Sequence, residues 1–198
     1  CQLSYKQFIS LIDSGVHFCK VEDCRNIKQK FRRSVCLTFD DGLEDLYSVV
    51  YPELKKRNIP FLAFIVTDFL DQEGYISTEE LKLLASDPLV TIGAHGVSHR
   101  ILSELSLNEQ EFELKDSKRI LEEILGERIK YFAYSHGKYN LDTLKILSKT
   151  HLYDYAFGVL PRPYNCFTHH KYVLPRINCD DNTQRFNLEG KTIKIITN

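Results

Sequence analysis

An uninterrupted apolar run at residues 61–66, Phe-Leu-Ala-Phe-Ile-Val, constrains the fold of this chain more than any other stretch. A strand without polar positions must be covered on both faces, and strands of that kind are typical of parallel sheets. Parallel neighbours require crossover connections, which are usually helices. The run therefore predicts an α/β protein in which strands alternate with helices.

The segments on either side of this run carry the expected alternation. Strands are predicted at residues 34–39, 61–66, 90–94, 130–134 and 154–159, with a short strand within 17–30 and extended segments at 172–177 and 192–196. Helices are predicted at residues 4–13, 43–57, 77–85, 106–126 and 141–150. Ser77 with Glu80 and Ser106 with Glu109 have the spacing of capping boxes, which mark helix N-termini. We interpret residues 1–198 as one α/β domain with parallel strands.

Two of these helices have apolar side chains at the spacing of a stripe that faces the core. In the helix at 43–57 the stripe consists of Leu46, Val49, Val50 and Leu54. In the helix at 106–126 it includes Phe112, Leu114, Ile120, Leu121 and Ile124. We expect these side chains to pack against the sheet.

The charge balance argues against a nucleic-acid partner. Lys and Arg number 26 and Asp and Glu number 27, whereas nucleic-acid binding calls for a basic excess. No apolar run approaches the roughly 20 residues of a membrane span, so we expect none. Residues 1–10 lack the basic and apolar regions of a signal peptide, although the chain does not begin with Met.

The six cysteines include no Cys-x-x-Cys pair, which argues against a zinc ribbon or a redox motif. Cys36 falls in a predicted strand, so we expect it to be a small core residue. A chain of this length needs no disulfide framework. We therefore expect reduced thiols and a cytoplasmic location, or association with the cell envelope if a trimmed N-terminus carried a signal.

Two adjacent carboxylates, Asp40 and Asp41, follow the predicted strand at 34–39 and precede Gly42. The carboxyl ends of parallel strands are where open α/β folds and barrels place their chemistry. Two carboxylates side by side repel each other unless a cation or hydrogen bonds offset the repulsion. A functional pair and an exposed Asp-Asp-Gly turn are both consistent with this stretch alone.

A pair of histidines, His95 and His99, follows the predicted strand at 90–94. One helical turn would place the two imidazoles on the same side, where they can bind one cation. With one carboxylate they form a three-ligand set that leaves a position for water, and the second carboxylate is then available as a general base. Two solvated histidines on a helix are the alternative for this motif alone.

The third motif is Tyr-Phe-Ala-Tyr-Ser-His-Gly-Lys-Tyr at residues 131–139, again after a predicted strand. Its small residues and glycine allow a tight loop whose backbone N–H groups could face a developing oxyanion. An ordinary strand-to-helix turn with packed aromatic side chains is the alternative.

Together these motifs resemble the polysaccharide deacetylase family, the NodB homology domain of carbohydrate esterase family 4. Residues 38–42 are similar to its first motif, residues 95–99 to its His-[Ser/Thr]-x-x-His motif, and residues 131–139 to its Phe-Ala-Tyr-Pro-x-Gly-x-Tyr motif. Leu-Pro-Arg-Ile at 174–177 resembles a late stretch of the same branch. The resemblance covers about residues 34–177.

The resemblance implies a deformed (β/α) barrel with fewer than eight complete units. It implies a hydrolase that removes N-acetyl groups from a sugar or polysaccharide, and the substrates expected from the family are bacterial cell-envelope or capsular glycans or their precursors. By position, Asp41, His95 and His99 would hold one divalent metal ion, usually zinc. Asp40 would deprotonate a water that the metal activates, and the backbone N–H of His136 would help to bind the oxyanion.

The chain departs from the family pattern at three places. Gly96 replaces a Ser or Thr that is not a ligand, so we expect an intact metal site with a looser loop. Ser135 replaces a proline, so we expect a less rigid oxyanion loop. A late Leu-x-x-His motif, whose histidine protonates the leaving amine, has no clear equivalent, and the candidates for this role are His136, His169 and His170.

Three further expectations remain open at this point. Arg176 either orients Asp40 through a charge-assisted hydrogen bond or forms a surface ion pair. Tyr134 and Tyr139 either stack on sugar rings or pack in the core. An O-acetyl esterase and a glycan-binding protein without catalysis are the alternative functions, and the sequence indicates neither the sugar nor the oligomeric state.

Overall fold

The computed structural model describes residues 4–23, 34–159, 170–178 and 194–197. Its strands are β1 His17–Phe18, β2 Ser34–Phe39, β3 Phe61–Ile65, β4 Val90–Ala94, β5 Tyr131–Ala133, β6 Tyr155–Phe157, β7 Ile177–Asn178 and β8 Lys194–Thr197. All pairings between these strands are parallel, in the order β6-β5-β4-β3-β2-β8-β7, with β1 beside β2. The prediction of a parallel sheet is thus confirmed.

The helices lie between the strands, as the alternation predicts. They are α1 Tyr5–Ile12, α2 Tyr51–Lys56, α3 Thr78–Ser86, α4 Leu107–Leu125 and α5 Leu141–Thr150, with a π-helical turn Leu46–Val50 leading into α2. Both predicted capping boxes are present, at Ser77 for α3 and at Ser106 for α4. In the part of the chain that the structure describes, no helix is long and apolar enough to cross a membrane.

The two edges of the sheet are joined by the segment 171–178, which curls the sheet into a deformed barrel. The Ala156 N–H donates to the Lys171 carbonyl at 3.0 Å, and the Gly158 N–H donates to the Leu174 carbonyl at 2.9 Å. Ile177 of β7 pairs with β8, whose other neighbour is β2. The fold that the family resemblance implies is therefore present.

The strands bury both faces, and each face packs in a separate cluster. Alternate residues face the barrel interior, where the cluster consists of Cys19, Val21, Cys36, Leu62, Phe64, Tyr131, Ala133, Phe157 and Leu174. The residues between them pack against the helices. This confirms that the run at 61–66 is covered on both sides, and that Cys36 is a core residue. Among the described residues, Cys19 and Cys36 are buried and form no disulfide, and the other four cysteines lie outside the described residues.

Two predicted core positions are wrong. Val49 is 38% exposed and Phe112 is 51% exposed. The π-helical turn shifts the side-chain spacing around Val49, because its hydrogen bonds span five residues instead of four. On α4 the buried face carries polar side chains, including Glu113 and Ser117, in addition to Leu114. Apolar spacing alone cannot find such a face.

Candidate active site

The three motifs meet where β2, β4 and β5 end. One donor atom each from Asp41, His95 and His99 lies within 4.8 Å of the others. Parallel strands bring these loops together because their carboxyl ends share one edge of the sheet. The predicted convergence of the carboxylate and the two imidazoles is therefore confirmed.

The backbone turns sharply between the two adjacent carboxylates. Asp41 and Gly42 both have left-handed backbone conformations, with φ of 71° and 79°. The Gly42 N–H donates to the Asp40 carbonyl at 2.9 Å and closes the turn. A side chain at Gly42 would also approach Ile65, whose Cδ1 would lie 3.3 Å from an added Cβ. The turn separates the two carboxylates, so that each meets different partners.

Asp40 is paired with a buried arginine. The two terminal nitrogens of Arg176 donate to the two oxygens of Asp40, at 2.6 and 2.8 Å. Arg176 is 1% exposed, and its guanidinium carbon lies 5.2 Å from the centroid of the Phe64 ring in the barrel interior. The predicted contact with Asp40 is therefore present, and the alternative of a surface ion pair is wrong.

His95 is buried and held in one tautomer. Its Nδ1 lies 2.8 Å from the Ala133 carbonyl oxygen, which can only accept, so Nδ1 carries the proton. The Nε2 lone pair then faces the carboxylates, 3.5 Å from Asp41 Oδ1 and 3.7 Å from Asp40 Oδ2. Burial lowers the pKa of His95 because it disfavours the charged imidazolium. A neutral imidazole with a free Nε2 is the form that binds a metal.

His99 reaches the same place by a different backbone path from the predicted one. The stretch 95–99 is not a helical turn, because Gly96 and His99 have φ of 85° and 60°. His99 Nε2 lies 3.2 Å from Asp41 Oδ1. The interaction with the Asp41 carboxylate raises the pKa of His99, because the carboxylate stabilises the charged imidazolium. The histidine spacing is thus correct for convergence, but a loop and not a helix produces it.

The donor atoms of Asp41, His95 and His99 are better suited to bind a cation than to form hydrogen bonds with one another. Asp41 Oδ1 is buried and has no well-formed hydrogen bond with any described residue, although the Nε2 atoms of His95 and His99 lie 3.5 and 3.2 Å from it. A buried oxygen without a hydrogen bond is costly. Two imidazoles and a carboxylate are also the ligand types of zinc sites with an open position. These residues therefore fit a bound divalent metal ion.

The third motif contributes to the same region. Ser135 is buried, and its hydroxyl donates to the His95 carbonyl at 3.2 Å, so this residue ties the third loop to the second. His136 has a left-handed backbone with φ of 56°, and its exposed ring lies 4.7 Å from the His99 ring between centroids. His170 contacts Tyr172 instead, and His169 lies outside the described residues. Of the candidate proton donors in the described residues, His136 lies beside the proposed ligands.

Tyr134 is not an exposed aromatic, contrary to one of the two expectations for it. It is fully buried, and its hydroxyl donates to the Tyr172 carbonyl at 2.7 Å. Alternation along β5 turns this side chain towards the helices, because Tyr131 and Ala133 occupy the interior face. Tyr139 is half-buried and its ring lies 4.6 Å from that of Tyr134. Sugar stacking by Tyr139 stays a prediction.

A loop at residues 67–76 forms a side of the site that the sequence did not reveal. The Asp68 N–H donates to the Val97 carbonyl and the Ile76 N–H to the Gly42 carbonyl, each at 2.9 Å, so the loop is joined to both ligand loops. It carries two half-buried aromatic residues, Phe69 and Tyr75, with ring centroids 4.5 Å apart. The Phe69 ring lies 6.0 Å from that of His99. We call these two residues the aromatic pair.

A buried glutamate is the second feature of the site that the sequence analysis missed. Glu113 of α4 accepts hydrogen bonds from the loop between His95 and His99. A glutamate on an amphipathic helix is ordinarily exposed, so its position gave no signal. The only signal in the sequence is that position 113, on the buried face of α4, carries a polar residue instead of an apolar one.

Comparison with known proteins identifies relatives of this chain. Residues 28–154 match the family described as polysaccharide deacetylase. The chain is 32% identical over 168 residues to the poly-beta-1,6-N-acetyl-D-glucosamine N-deacetylase of Staphylococcus aureus, an alignment that covers 78% of this chain and 57% of that protein. The chain spans about half the length of the curated relatives it matches.

Solved structures with this fold include proteins with different catalytic status. The deacetylase PplD of Streptococcus pyogenes, in complex with acetate, is similar with a TM-score of 0.76 and 26% identity, over 87% of this chain and 78% of that one. A CE4 family pseudoenzyme from Bacillus anthracis is similar with a TM-score of 0.60 and 15% identity, over 82% of this chain and 54% of that one. Catalysis must therefore be argued from the residues of the site.

Proposed function

Because this chain belongs to the polysaccharide deacetylase family, we propose that it hydrolyses N-acetyl groups of an N-acetylated glycan. The observation that carries the proposal is the convergence of Asp41, His95 and His99 beside the carboxylate of Asp40. Such a site combines a place for a cation with a neighbouring base. Hydrolysis of an amide by water needs both kinds of assistance.

Asp41, His95 and His99 would hold one divalent ion, and zinc is the metal that this donor set favours. When bound, such an ion lowers the pKa of water to about 7 and polarises a carbonyl oxygen. The hydrogen bond from His95 Nδ1 to the Ala133 carbonyl supports this assignment, since metal-binding histidines usually donate their second N–H in this way.

We propose that Asp40 is the general base, which accepts a proton from the attacking water. Its Oδ2 lies 3.7 Å from His95 Nε2, at the edge of the proposed ligand set. Arg176 fixes the carboxylate plane through two hydrogen bonds, and each oxygen keeps a further lone pair for a proton. In the reaction the water oxygen bonds to the amide carbon while Asp40 accepts the proton.

The C–N bond then breaks, acetate leaves, and the amine nitrogen takes up a proton. We propose that the ring of His136 donates this proton, because the exposed imidazole lies near the proposed ligands, with its ring centroid 4.7 Å from that of His99. The backbone N–H of His136 is our candidate donor to the developing oxyanion. Both roles fall to one residue at the rim of the proposed ligand set.

The aromatic pair, Phe69 and Tyr75, is our candidate for contact with the sugar. The Phe69 ring lies 6.0 Å from the His99 ring, which places an apolar surface next to the reacting groups. The Staphylococcus aureus relative is named for a polymer of β-1,6-linked N-acetyl-D-glucosamine. We therefore propose a glycan containing N-acetylglucosamine, of the kind found in bacterial cell envelopes, as the substrate.

Acetate release from defined oligosaccharides tests this function. Zinc-loaded protein is incubated with β-1,6- and β-1,4-linked N-acetylglucosamine oligomers, and the same protein treated with a chelator is the control. We expect acetate release that chelation removes and that zinc restores. Release from acetyl esters but from no amide would replace the proposal with an O-acetyl esterase, and oligomer binding without any release would replace it with a glycan-binding protein.

A further inference from the structure

A buried carboxylate outside the reacting groups makes all its described hydrogen bonds to one short loop. Glu113 of α4 is 2% exposed. One of its oxygens, Oε2, accepts the backbone N–H groups of Val97 at 2.6 Å and Ser98 at 3.0 Å. The other oxygen accepts the hydroxyl of Ser98 in a short hydrogen bond. The described ion pairs give Glu113 no Lys or Arg partner.

The loop that Glu113 holds is the one that joins the two histidines. A carboxylate without a cationic partner is costly to bury unless hydrogen bonds replace its water. Here three donors replace the water, and all three belong to Val97 and Ser98, between His95 and His99. Any movement of this loop would leave the buried carboxylate unsatisfied. The side chain therefore fixes the loop in one conformation.

Gly96 is sterically matched to this carboxylate. It has φ of 85°, and a Cβ added to it would lie 2.8 Å from Glu113 Oε2. The Ser or Thr that the family motif has at this position would therefore collide with the carboxylate in this chain. The three hydrogen bonds of Glu113 hold the loop that we expected the glycine to loosen.

We propose that Glu113 is a positioning residue for the proposed metal ligands, and that Gly96 provides the space it needs. This inference rests on the proposed function, since it concerns the same ligand set. Glu113 acts through the loop: it orients His99 relative to Asp41 and His95, and it takes no part in proton transfer. Its effect should therefore appear first in metal affinity.

The loop has other attachments, so removal of Glu113 should not unfold the protein. The Thr67 and Asp68 N–H groups donate to the Gly96 and Val97 carbonyls at 3.3 and 2.9 Å. On the other side, Ser135 bonds to the His95 carbonyl. These contacts keep the loop in place on average, while the angle at which His99 is presented becomes variable.

The test is zinc affinity, measured by competition with a chromogenic chelator, for wild type and three variants. Glu113→Ala should lose about 10- to 100-fold in affinity, the usual effect of losing a group that orients a metal ligand. Glu113→Gln should stay within about threefold of wild type, because its oxygen can accept both N–H groups while its NH₂ donates to the Ser98 hydroxyl. Gln110→Ala is the matched control, since Gln110 is a buried polar residue of α4 that contacts Leu105 and Thr143 instead of the ligand loop.

Each outcome decides between hydrogen bonding and other roles. Unchanged affinity in Glu113→Ala, or an equal loss in Gln110→Ala, would overturn the positioning role, because the effect would then be absent or merely structural. An equal loss in Glu113→Gln and Glu113→Ala would show that charge, and not the hydrogen-bond pattern, is what matters, and would also overturn it. If Glu113→Ala does not fold, Ser98→Ala removes one of the three bonds and should lower the affinity by a smaller factor.

The steric match is tested by a double-mutant cycle on the same readout. Gly96→Ala should lower zinc affinity in both backgrounds, because an alanine is strained at φ of 85°, but it should lower it more in wild type than in Glu113→Ala, where the colliding oxygen is gone. Equal effects in the two backgrounds would contradict the match. A wild-type protein that binds no zinc would contradict the proposed function. Zinc affinity that is the same in wild type and in the Glu113 variants would contradict this inference alone.

Discussion

Asp40 and Asp41 are neighbours in the chain but occupy opposite environments. Asp40 has both oxygens bonded to a buried guanidinium, at 2.6 and 2.8 Å. Asp41 has one buried oxygen without a well-formed hydrogen bond to any described residue, and an imidazole nitrogen of His95 and one of His99 lie within 3.5 Å of it. The left-handed turn at Asp41 and Gly42 is what directs the two carboxylates apart.

The difference indicates how one Asp-Asp pair can serve two purposes. A carboxylate held by arginine on both oxygens keeps a fixed orientation, as a base must. A carboxylate oxygen that lies beside two imidazole nitrogens without a well-formed hydrogen bond is in a suitable place to bind a cation. We therefore assign the two roles by environment: Asp40 to proton transfer and Asp41 to metal binding.

The most severe test of this division is Asp40→Asn. The amide cannot accept the proton of water, so we expect kcat for acetate release to fall by about 10²- to 10⁴-fold. Zinc affinity should stay near that of wild type, because Asp40 is outside the proposed ligand set. Steady-state kinetics on the zinc-loaded protein check this, and turnover within a few-fold of wild type would remove Asp40 from the role of base.

Arg176→Met removes the partner of Asp40 in the Asp40–Arg176 ion pair. Removing the guanidinium leaves a partly buried carboxylate without its partner, and we expect a loss of about 3–5 kcal/mol in the free energy of unfolding. Urea unfolding of the zinc-free protein measures it. The double variant Asp40→Asn with Arg176→Met should recover part of the loss, since the unpaired charge is then gone. A double variant as unstable as Arg176→Met alone would contradict the explanation.

Gly93→Ala should disturb the Asp40–Arg176 ion pair through the Phe64 ring that contacts Arg176. An added Cβ would lie 2.6 Å from the Phe64 ring, on which the Arg176 guanidinium rests. Overpacking of this kind costs about 1–3 kcal/mol, and the displaced ring should also lower kcat. Gly158→Ala is the control, because its added Cβ would lie 3.4 Å from Tyr139. Equal unfolding free energies for the two variants would show that the interior tolerates the change.

The smallest effect is expected at the aromatic pair. Phe69→Ala should raise KM for the oligosaccharide by about twofold to tenfold and leave kcat nearly unchanged, since one aromatic contact contributes about 0.5–1.5 kcal/mol. Tyr47→Ala is the control, because the Tyr47 ring stacks on Tyr51 at 6.0 Å beside α2. A fall in kcat at unchanged KM would indicate that Phe69 supports His99 instead of contacting sugar.

The sheet and the proposed ligand set were predictable from the sequence because their signals are local. The run at 61–66 requires cover on both faces, and the structure provides it. The positions of Asp41, His95 and His99 after predicted strands were enough to bring them together in a parallel sheet. The path of the chain was not predictable, since a helical turn and a loop can both join two histidines four residues apart.

The residues that the sequence did not reveal depend on long-range geometry. Tyr134 was a candidate for sugar contact, but it directly follows β5, and the register of the barrel decides which face of the sheet its side chain occupies. Glu113 looks like a solvent-facing residue until α4 is placed against the loop at 95–99. Phe69 and Tyr75 lie in a loop without periodicity, and they become relevant only because that loop bonds to both ligand loops.

The division of labour between Asp40 and Asp41 is tested most directly by zinc content per chain. Wild type, Asp40→Asn and Asp41→Ala are loaded with zinc, dialysed, and measured by elemental analysis, with no need to know the substrate. We expect one tightly held ion in wild type and in Asp40→Asn, and none in Asp41→Ala. Zinc retained in Asp41→Ala, or lost equally in Asp40→Asn, would contradict the assignment of the two carboxylates.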